Sequence, residues 1–303
     1  MHGAPLAWAA VNGHVEVVKI LLGREDIDPN KANGYGQTPL VLAAVRGYEG
    51  VVKLLLGRED IDPNKTSGYG ETPLLLAAQI GYDGVVKLLL AREDIDPNKA
   101  DFSGTPLTLA AREGHEGVMK LLLSRDDVDP NRPDIEGRTL LCQAAYQGYE
   151  GVVKLLLGRD DIIPDRPGRD DKTPLWWAAH NGREGVVKIL LGRDDINPDK
   201  PNKHGETPLN CAAYAGHEGV VKLPLRRDDV DPNKPDEGGR TPLWWAACNG
   251  HEGVVKLLLG RGGINPGKPD IQGRTPLWWA TKNGHTGVIA LLQTPTSTTH
   301  SAA

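Results

Sequence analysis

Cysteine is scarce: three residues in 303, Cys142, Cys211 and Cys248. An odd, low count excludes a disulfide-stapled fold and fits a reducing compartment, so a cytoplasmic or nuclear location is expected. No run of 18 apolar residues occurs, which excludes a membrane-spanning helix, and Met1-His2-Gly3-Ala4-Pro5 does not read as a secretion signal. Charge of one sign is not in excess. The net charge is −5 and the pI near 6.0, so no general attraction to nucleic acid or anionic membrane is expected. Phosphate-binding loops, dinucleotide fingerprints and Ser/His/Asp or Cys/His sets are also missing. The sequence therefore predicts no catalytic residue, no cofactor and no enzyme activity.

What is present is repetition. The motif Thr-Pro-Leu-x-x-Ala-Ala recurs from Thr38, Thr72, Thr105, Thr139, Thr173, Thr207, Thr241 and Thr275, with a degenerate first copy at Ala4. Spacings are 34 residues, with a single 33 between Thr72 and Thr105. A fixed period of this size marks a solenoid, in which each copy buries its apolar face only against its neighbours. Thr38 is suited to cap a helix and Pro39 to open it. Leu40 to Ala44 predict a short first helix stopped at Gly47. A second helix is expected from Glu49 through Val51-Val52-Lys53-Leu54-Leu55-Leu56, with Lys53 outside. The polar stretch from Arg58 to Gly70 then reads as a long turn or hairpin. Interior Pro224, in a place other copies fill with Leu, predicts a kinked or weak seventh copy, with a cooperative boundary near residue 205.

The motif, followed by Gly-His or Gly-Tyr (Gly13-His14, Gly47-Tyr48, Gly114-His115, Gly250-His251) and Val-Val-x-Leu-Leu-Leu, resembles the ankyrin repeat over residues 4 to 292. The resemblance implies an all-α solenoid of about nine helix-turn-helix copies joined by β-hairpin-like loops, spanning 1–292, the first copy lacking its hairpin and a disordered tail following at 293–303. Two features depart from the family. The period is one residue long, and Val41, Leu75, Thr108, Cys142, Trp176, Asn210, Trp244 or Trp278 replaces the usual His, so apolar packing is expected where the family has a buried hydrogen bond. The longer loop and the Pro-Leu-Trp-Trp-Ala-Ala wording are similar to ankyrin arrays of filamentous fungi, which form the sensor part of large NACHT-type, NLR-like proteins. That likeness implies an alternative to a stand-alone scaffold: a sensor or regulatory fragment of a larger protein whose effector or enzymatic domain lies elsewhere.

Several local patterns have competing readings. Asp60-x-Asp62-x-Asn64 with Glu71 imitates a calcium loop, but Lys65 stands where such a loop needs Gly, so the acids read as loop frame and no metal is expected. His14, His115, His217, His251 and His285 share a slot with Tyr48, Tyr82, Tyr149 and Arg183, which marks them as structural. Lys19, Lys53, Lys87, Lys120, Lys154, Lys188, Lys222 and Lys256 form a stripe on second helices, mostly with an acid four residues earlier, as in Glu49–Lys53. Such spacing predicts helix-surface ion pairs of about 0.2–0.5 kcal/mol rather than a nucleic-acid track. The tryptophan pairs of the first helices, Trp176-Trp177, Trp244-Trp245 and Trp278-Trp279, are expected in the core.

The resemblance also implies where a partner binds: on the concave face, made of hairpin tips and the last turn of each first helix. The tips carry Tyr35, Gln37, Tyr69, Glu71, Phe102, Ile135, Arg138, Lys172, His204, Glu206, Glu237, Arg240, Ile271 and Arg274. The helix ends carry Arg46, Gln79, Arg112, Tyr146, His180, Asn181, Tyr214, Asn249 and Lys282. These positions vary from copy to copy while Val-Val-Lys-Leu-Leu-Leu does not. A uniform frame with a diversified face is what modular recognition requires, and Tyr and Arg are favoured at binding hot spots. A monomeric scaffold binding a protein partner is expected.

Overall fold

The structure, a computed structural model, describes residues 5–134 and 136–294. The expectations for Ile135, for the tail beyond 294 and for the degenerate start at Ala4 lie outside the described residues. Those residues form eighteen α-helices in antiparallel pairs. In order they are α1 (Pro5–Val11), α2 (Val15–Leu22), α3 (Pro39–Val45), α4 (Glu49–Leu56), α5 (Pro73–Ile80), α6 (Asp83–Leu90), α7 (Pro106–Glu113), α8 (Glu116–Leu123) and α9 (Leu140–Gln147). There follow α10 (Glu150–Leu157), α11 (Pro174–His180), α12 (Glu184–Leu191), α13 (Pro208–Ala215), α14 (Glu218–Lys222), α15 (Pro242–Cys248), α16 (Glu252–Leu259), α17 (Pro276–Lys282) and α18 (Thr286–Gln293). No strand occurs among the described residues, only an isolated bridge between Asp101 and Gly104. No described helix is long and apolar enough to cross a membrane.

The motif explains each start. The Thr38 hydroxyl accepts from the Val41 N–H at 3.2 Å, and Thr72, Thr173, Thr207, Thr241 and Thr275 repeat the cap with Pro in the first turn behind each. Glycine ends the pair of turns for a steric reason. Gly81 has φ +90°, and a β-carbon there would stand 2.6 Å from Nδ1 of His115. The imidazole of His115 lies on this bare backbone, and its Nε2 is 3.1 Å from the Gln79 carbonyl of the preceding copy. Nε2 of His217, His251 and His285 meets the corresponding carbonyls, and Arg183 Nε donates to Tyr146 O.

The chain divides into two compact units, Met1–Leu140 with Gly158–Ile162, and Leu141–Leu157 with Ile163–Ala303. Within each unit, first helices pack on first helices (α1, α3, α5, α7 in one; α11, α13, α15, α17 in the other) and second helices on second helices. The core is built of Leu40, Leu74, Leu107 and Ala43-Ala44, with Val51, Val52 and Leu55 of α4 and the same three residues in α6, α10, α12 and α16, all essentially inaccessible. Burying each Leu or Val contributes about 1.5–3 kcal/mol before ordering costs.

Polar bonds join the copies where the loops meet. Arg58 holds Asp60 through Nε and Nη2 (2.8 and 2.6 Å) and donates Nη1 to Leu22 O, at the end of the preceding second helix. Arg92, Arg125 and Arg159 repeat this in the first unit, and Arg193 and Arg227 in the second. Asn64 bridges Asp94 O and the Asp96 N–H, while Lys99 Nζ donates to Asn64 O. The acids that imitate a calcium loop are thus engaged in the frame: Asp60 on Arg58, and Asp62 on the Asn64 N–H.

Three expectations are corrected. The Glu–Lys pairs do not form among the described residues. Glu49, Asp83, Glu150, Glu184, Glu218 and Glu252 instead fill the space over the glycine in the first turn of the next second helix, where a β-carbon would collide with the carboxylate. There the partial positive charge of the helix terminus favours an anion. Secondly, apolar packing does not fully replace the missing His. Asn210 Nδ2 and Trp244 Nε1 donate to the carbonyls of Arg240 and Arg274, each 3.2 Å away in the next hairpin. Thirdly, of the six paired tryptophans only Trp176 and Trp244 are core. Trp176 and Trp244 are 4% and 3% exposed, whereas Trp177, Trp245 and Trp279 are half-buried and Trp278 is 43% exposed. An indole is longer than the Leu42 or Leu76 it replaces, and its outer ring emerges from the packed layer. The kink expected at Pro224 is present: α14 has five residues against eight in its neighbours, and a 3-10 turn follows at Pro224–Arg226.

Candidate functional site

The hairpin tips rise from tight turns. Asn33 N–H donates to Gln37 O and Gly36 N–H to Asn33 O, and the next tip is tied on by Gly68 N–H to Tyr35 O at 3.0 Å. This leaves the tip side chains outside. Tyr35, Tyr69 and Phe102 are 67%, 66% and 75% exposed, and His204, Glu237 and Ile271 are also exposed. Gln37, Glu71, Arg138, Lys172, Glu206, Arg240 and Arg274 are half-buried: Gln37, Glu71, Arg138 and Glu206 bond residues of their own hairpin, and Lys172, Arg240 and Arg274 lie over first-helix tryptophans. Of the helix-end positions, Arg46, Tyr146, Tyr214 and Lys282 are exposed, and Gln79, Arg112, His180, Asn181 and Asn249 half-buried.

The structure brings some of these together. In the first unit Tyr35, Gln37 and Arg46 border a 480 Å³ cleft with Trp8 and Leu42. In the second, Lys172, His180, Glu206 and Tyr214 border a 260 Å³ cleft floored by Trp176, Asn210, Cys211 and Trp245. His180 stacks on Trp176, ring centroids 4.9 Å apart, and its burial, aided by the Lys172 charge, lowers its pKa. Burial pushes the Cys211 thiol well up, which leaves it a protonated, inert packing group. Other positions are taken by the frame. Asn249 donates its amide to Tyr214 O and Asn181 to Trp177 O, while Arg112 is turned onto Glu113.

The copies bearing tryptophan pairs add a construction that sequence reasoning placed in the core. Asp236 accepts from Arg240 Nε at 2.8 Å and from Trp245 Nε1 at 3.2 Å, and the guanidinium lies 4.3 Å from the Trp245 ring centre. One copy on, Asp270, Arg274 and Trp279 repeat it, with Arg274 Nε 2.9 Å from Asp270 and its guanidinium 4.7 Å from the ring. Desolvation alone raises the Asp270 carboxyl, but the Arg274 N–H, its guanidinium and the Trp279 indole hold it below its ordinary value. The signal was in the sequence, as Asp-x-x-x-Arg-Thr-Pro-Leu-Trp-Trp in two successive copies. In the copy that bears the first tryptophan pair, two copies before the first of these, Gly168 stands where the aspartate would be. Trp177 Nε1 is buried there without an acceptor, and Lys172 lies over both rings at 4.5 and 4.9 Å.

Paired helices, capping threonines and inward alanines recur at one period, and a family model described as ankyrin repeats in three copies matches residues 6–101, 74–167, 141–236 and 225–300. The chain belongs to the ankyrin-repeat family. No curated protein matches it. Ankyrin repeats are generally protein–protein interaction modules and typically non-catalytic, and the clefts of this ankyrin array are open recesses between side chains.

Proposed function

We propose that this ankyrin array is a recognition scaffold that binds a protein partner through its hairpin tips and first-helix ends and performs no chemistry itself. The observation that carries the reading is the contrast between a nearly identical interior in every copy and tips bearing large exposed aromatic groups, Tyr35, Tyr69 and Phe102, that no packing requires. Aromatic side chains left in water at that density favour transfer to an interface. The low, odd cysteine count accords with work in the cytoplasm or nucleus. The test is capture of a cross-linked partner by the wild-type chain and by the triple variant Tyr35→Ala, Tyr69→Ala, Phe102→Ala. The variant should lose the partner with an unchanged melt, and Lys53→Gln with Lys87→Gln on the outer helices should keep it. Equal loss from the outer pair refutes the assignment.

The Pro-Leu-Trp-Trp-Ala-Ala wording and the 34-residue period favour a second reading, a sensor segment of an NLR-like protein. Its test is the genomic sequence flanking the reading frame: a nucleotide-binding domain there supports it, and unrelated genes overturn it.

A further inference from the structure

Resting on the recognition reading, we propose that the face of α15 and α17 in the second unit takes an acidic, extended peptide segment carrying a carboxylate at about every third residue. Asp236 and Asp270 have side chains with no exposed surface, whereas Arg240 and Arg274, paired with them, remain about one-third exposed. The acids are thus hidden beneath the cations, and an approaching molecule meets the guanidinium groups rather than their carboxylates, with the exposed Glu237 the one acid on the neighbouring tip. The guanidinium groups are also held in place. Nε is spent on the aspartate and one flat face lies against Trp245 or Trp279. Among the described residues, both terminal nitrogens of Arg240 and one of Arg274 (Nη1) have no protein acceptor; the other Arg274 nitrogen donates to Gln272. An Arg fixed by stacking, with its outer fork empty, is preorganised to grip a carboxylate at little entropic cost.

Lys282 extends the same surface. Its ammonium lies 5.0 and 4.8 Å from the rings of Trp278 and Trp279 and has no acid partner among the described residues. The 43% exposed Trp278 offers apolar area beside it. Packed helices such as α15 and α17 stand about 8–10 Å apart. An extended chain in the polyproline II conformation advances about 3.1 Å per residue with three residues per turn, so acids three residues apart lie on one face and reach successive guanidinium groups. The exposed tips of the first unit, Tyr35, Tyr69 and Phe102, have no such cation stacked upon them, which confines the acid preference to the tryptophan-bearing copies.

The experiment is fluorescence anisotropy with the full chain at low ionic strength. The labelled probes are a twelve-residue peptide of four Glu-Gly-Ser triplets, the same peptide with Lys for Glu, and a twelve-nucleotide single-stranded DNA. The Glu peptide should bind at least about tenfold more tightly than either alternative and weaken as salt rises. Lys282→Gln should reduce its affinity about threefold. Arg240→Lys should reduce it about tenfold, because it keeps the charge over Asp236 but loses the fork. Lys53→Gln should change nothing. Lys282 is exposed and has no acid partner among the described residues, so its variant tests the surface even if Arg240→Lys lowers the melt. No preference for Glu over Lys, tighter binding of DNA, or unchanged affinity in Lys282→Gln overturns the proposal. If the peptide fails while the Tyr35/Tyr69/Phe102 variant still loses a captured partner, only the acid specificity falls.

Discussion

Asparagine and aspartate are nearly the same shape, yet one loop slot separates them. Asn30, Asn64, Asn98, Asn131 and Asn233 each donate Nδ2 to a carbonyl in the following loop. Asp165 and Asp199 occupy the same slot and can only accept. One oxygen of each takes an N–H, from Asn197 and Asp231, and the other is buried without a partner. Burial raises both carboxyl pKa values. Because the folded value lies above the unfolded one of about 3.9, the penalty is absent below that pH, grows as pH rises through the folded value, and is complete above it. Asp165→Asn and Asp199→Asn should therefore each stabilise the chain at pH 7 by about 1 kcal/mol, one recovered hydrogen bond, and by much less at pH 3. Urea midpoints at the two pH values check this; an equal gain at both would place the cause elsewhere.

At the scale of the helix, seventh-copy strain is concentrated at Pro224. Without an N–H it cannot donate to Val220 O, which takes the Leu223 N–H instead, and the shortened α14 gives way to a 3-10 turn. Pro224→Leu should restore an eight-residue helix and raise stability by about 1–3 kcal/mol. Amides around Leu223 and Leu225 should exchange early in the parent chain and late in the variant. Early exchange in both would mean that the copy is weak for another reason. The helices themselves were almost wholly legible, α4 to the residue, because the Thr cap, Pro opening and Gly stop act locally. The second tryptophans were not. Periodicity assigns a position to a face, but it does not reveal that an indole in a leucine slot protrudes past the layer to meet Arg240 or Arg274.

For the whole molecule, the dominant electrostatic pattern is the Arg-x-Asp loop. The carboxylates of Asp26, Asp60, Asp94 and Asp127, and of Asp161, Asp195 and Asp229, are held below their ordinary value first by the guanidinium hydrogen bond. Their contribution is present above the unfolded value of about 3.9 and is lost as pH falls through the depressed folded values. Stability should therefore decline steeply below about pH 4, opposite in sign to the two buried aspartates, and Arg92→Ala should blunt the decline. Thermal melts between pH 2.5 and 7 measure it, and a flat profile would leave the loops energetically idle. Arg58, Arg92 and Arg159 also donate Nη1 to a carbonyl 36 residues earlier, and no motif announces that second bond. The period was plain in the sequence, but that Arg58 reaches back to Leu22 follows only once the loops are stacked. The diversified tips were legible by comparing copies, whereas the burial of Asp236 and Asp270 under their arginines was not.

Within each unit most side-chain bonds between copies span some 29 to 37 residues, and each kind joins the same two slots in successive copies. Such a chain has in effect one kind of joint. Removing or duplicating a whole copy in frame leaves every remaining donor facing an equivalent carbonyl, so the array can lengthen or shorten in quanta without renegotiating its interior. A loss of a few residues has no such refuge. The gene can thus trade tips by recombination between near-identical frames, and the binding face becomes a shuffled deck whose cards all fit the same table.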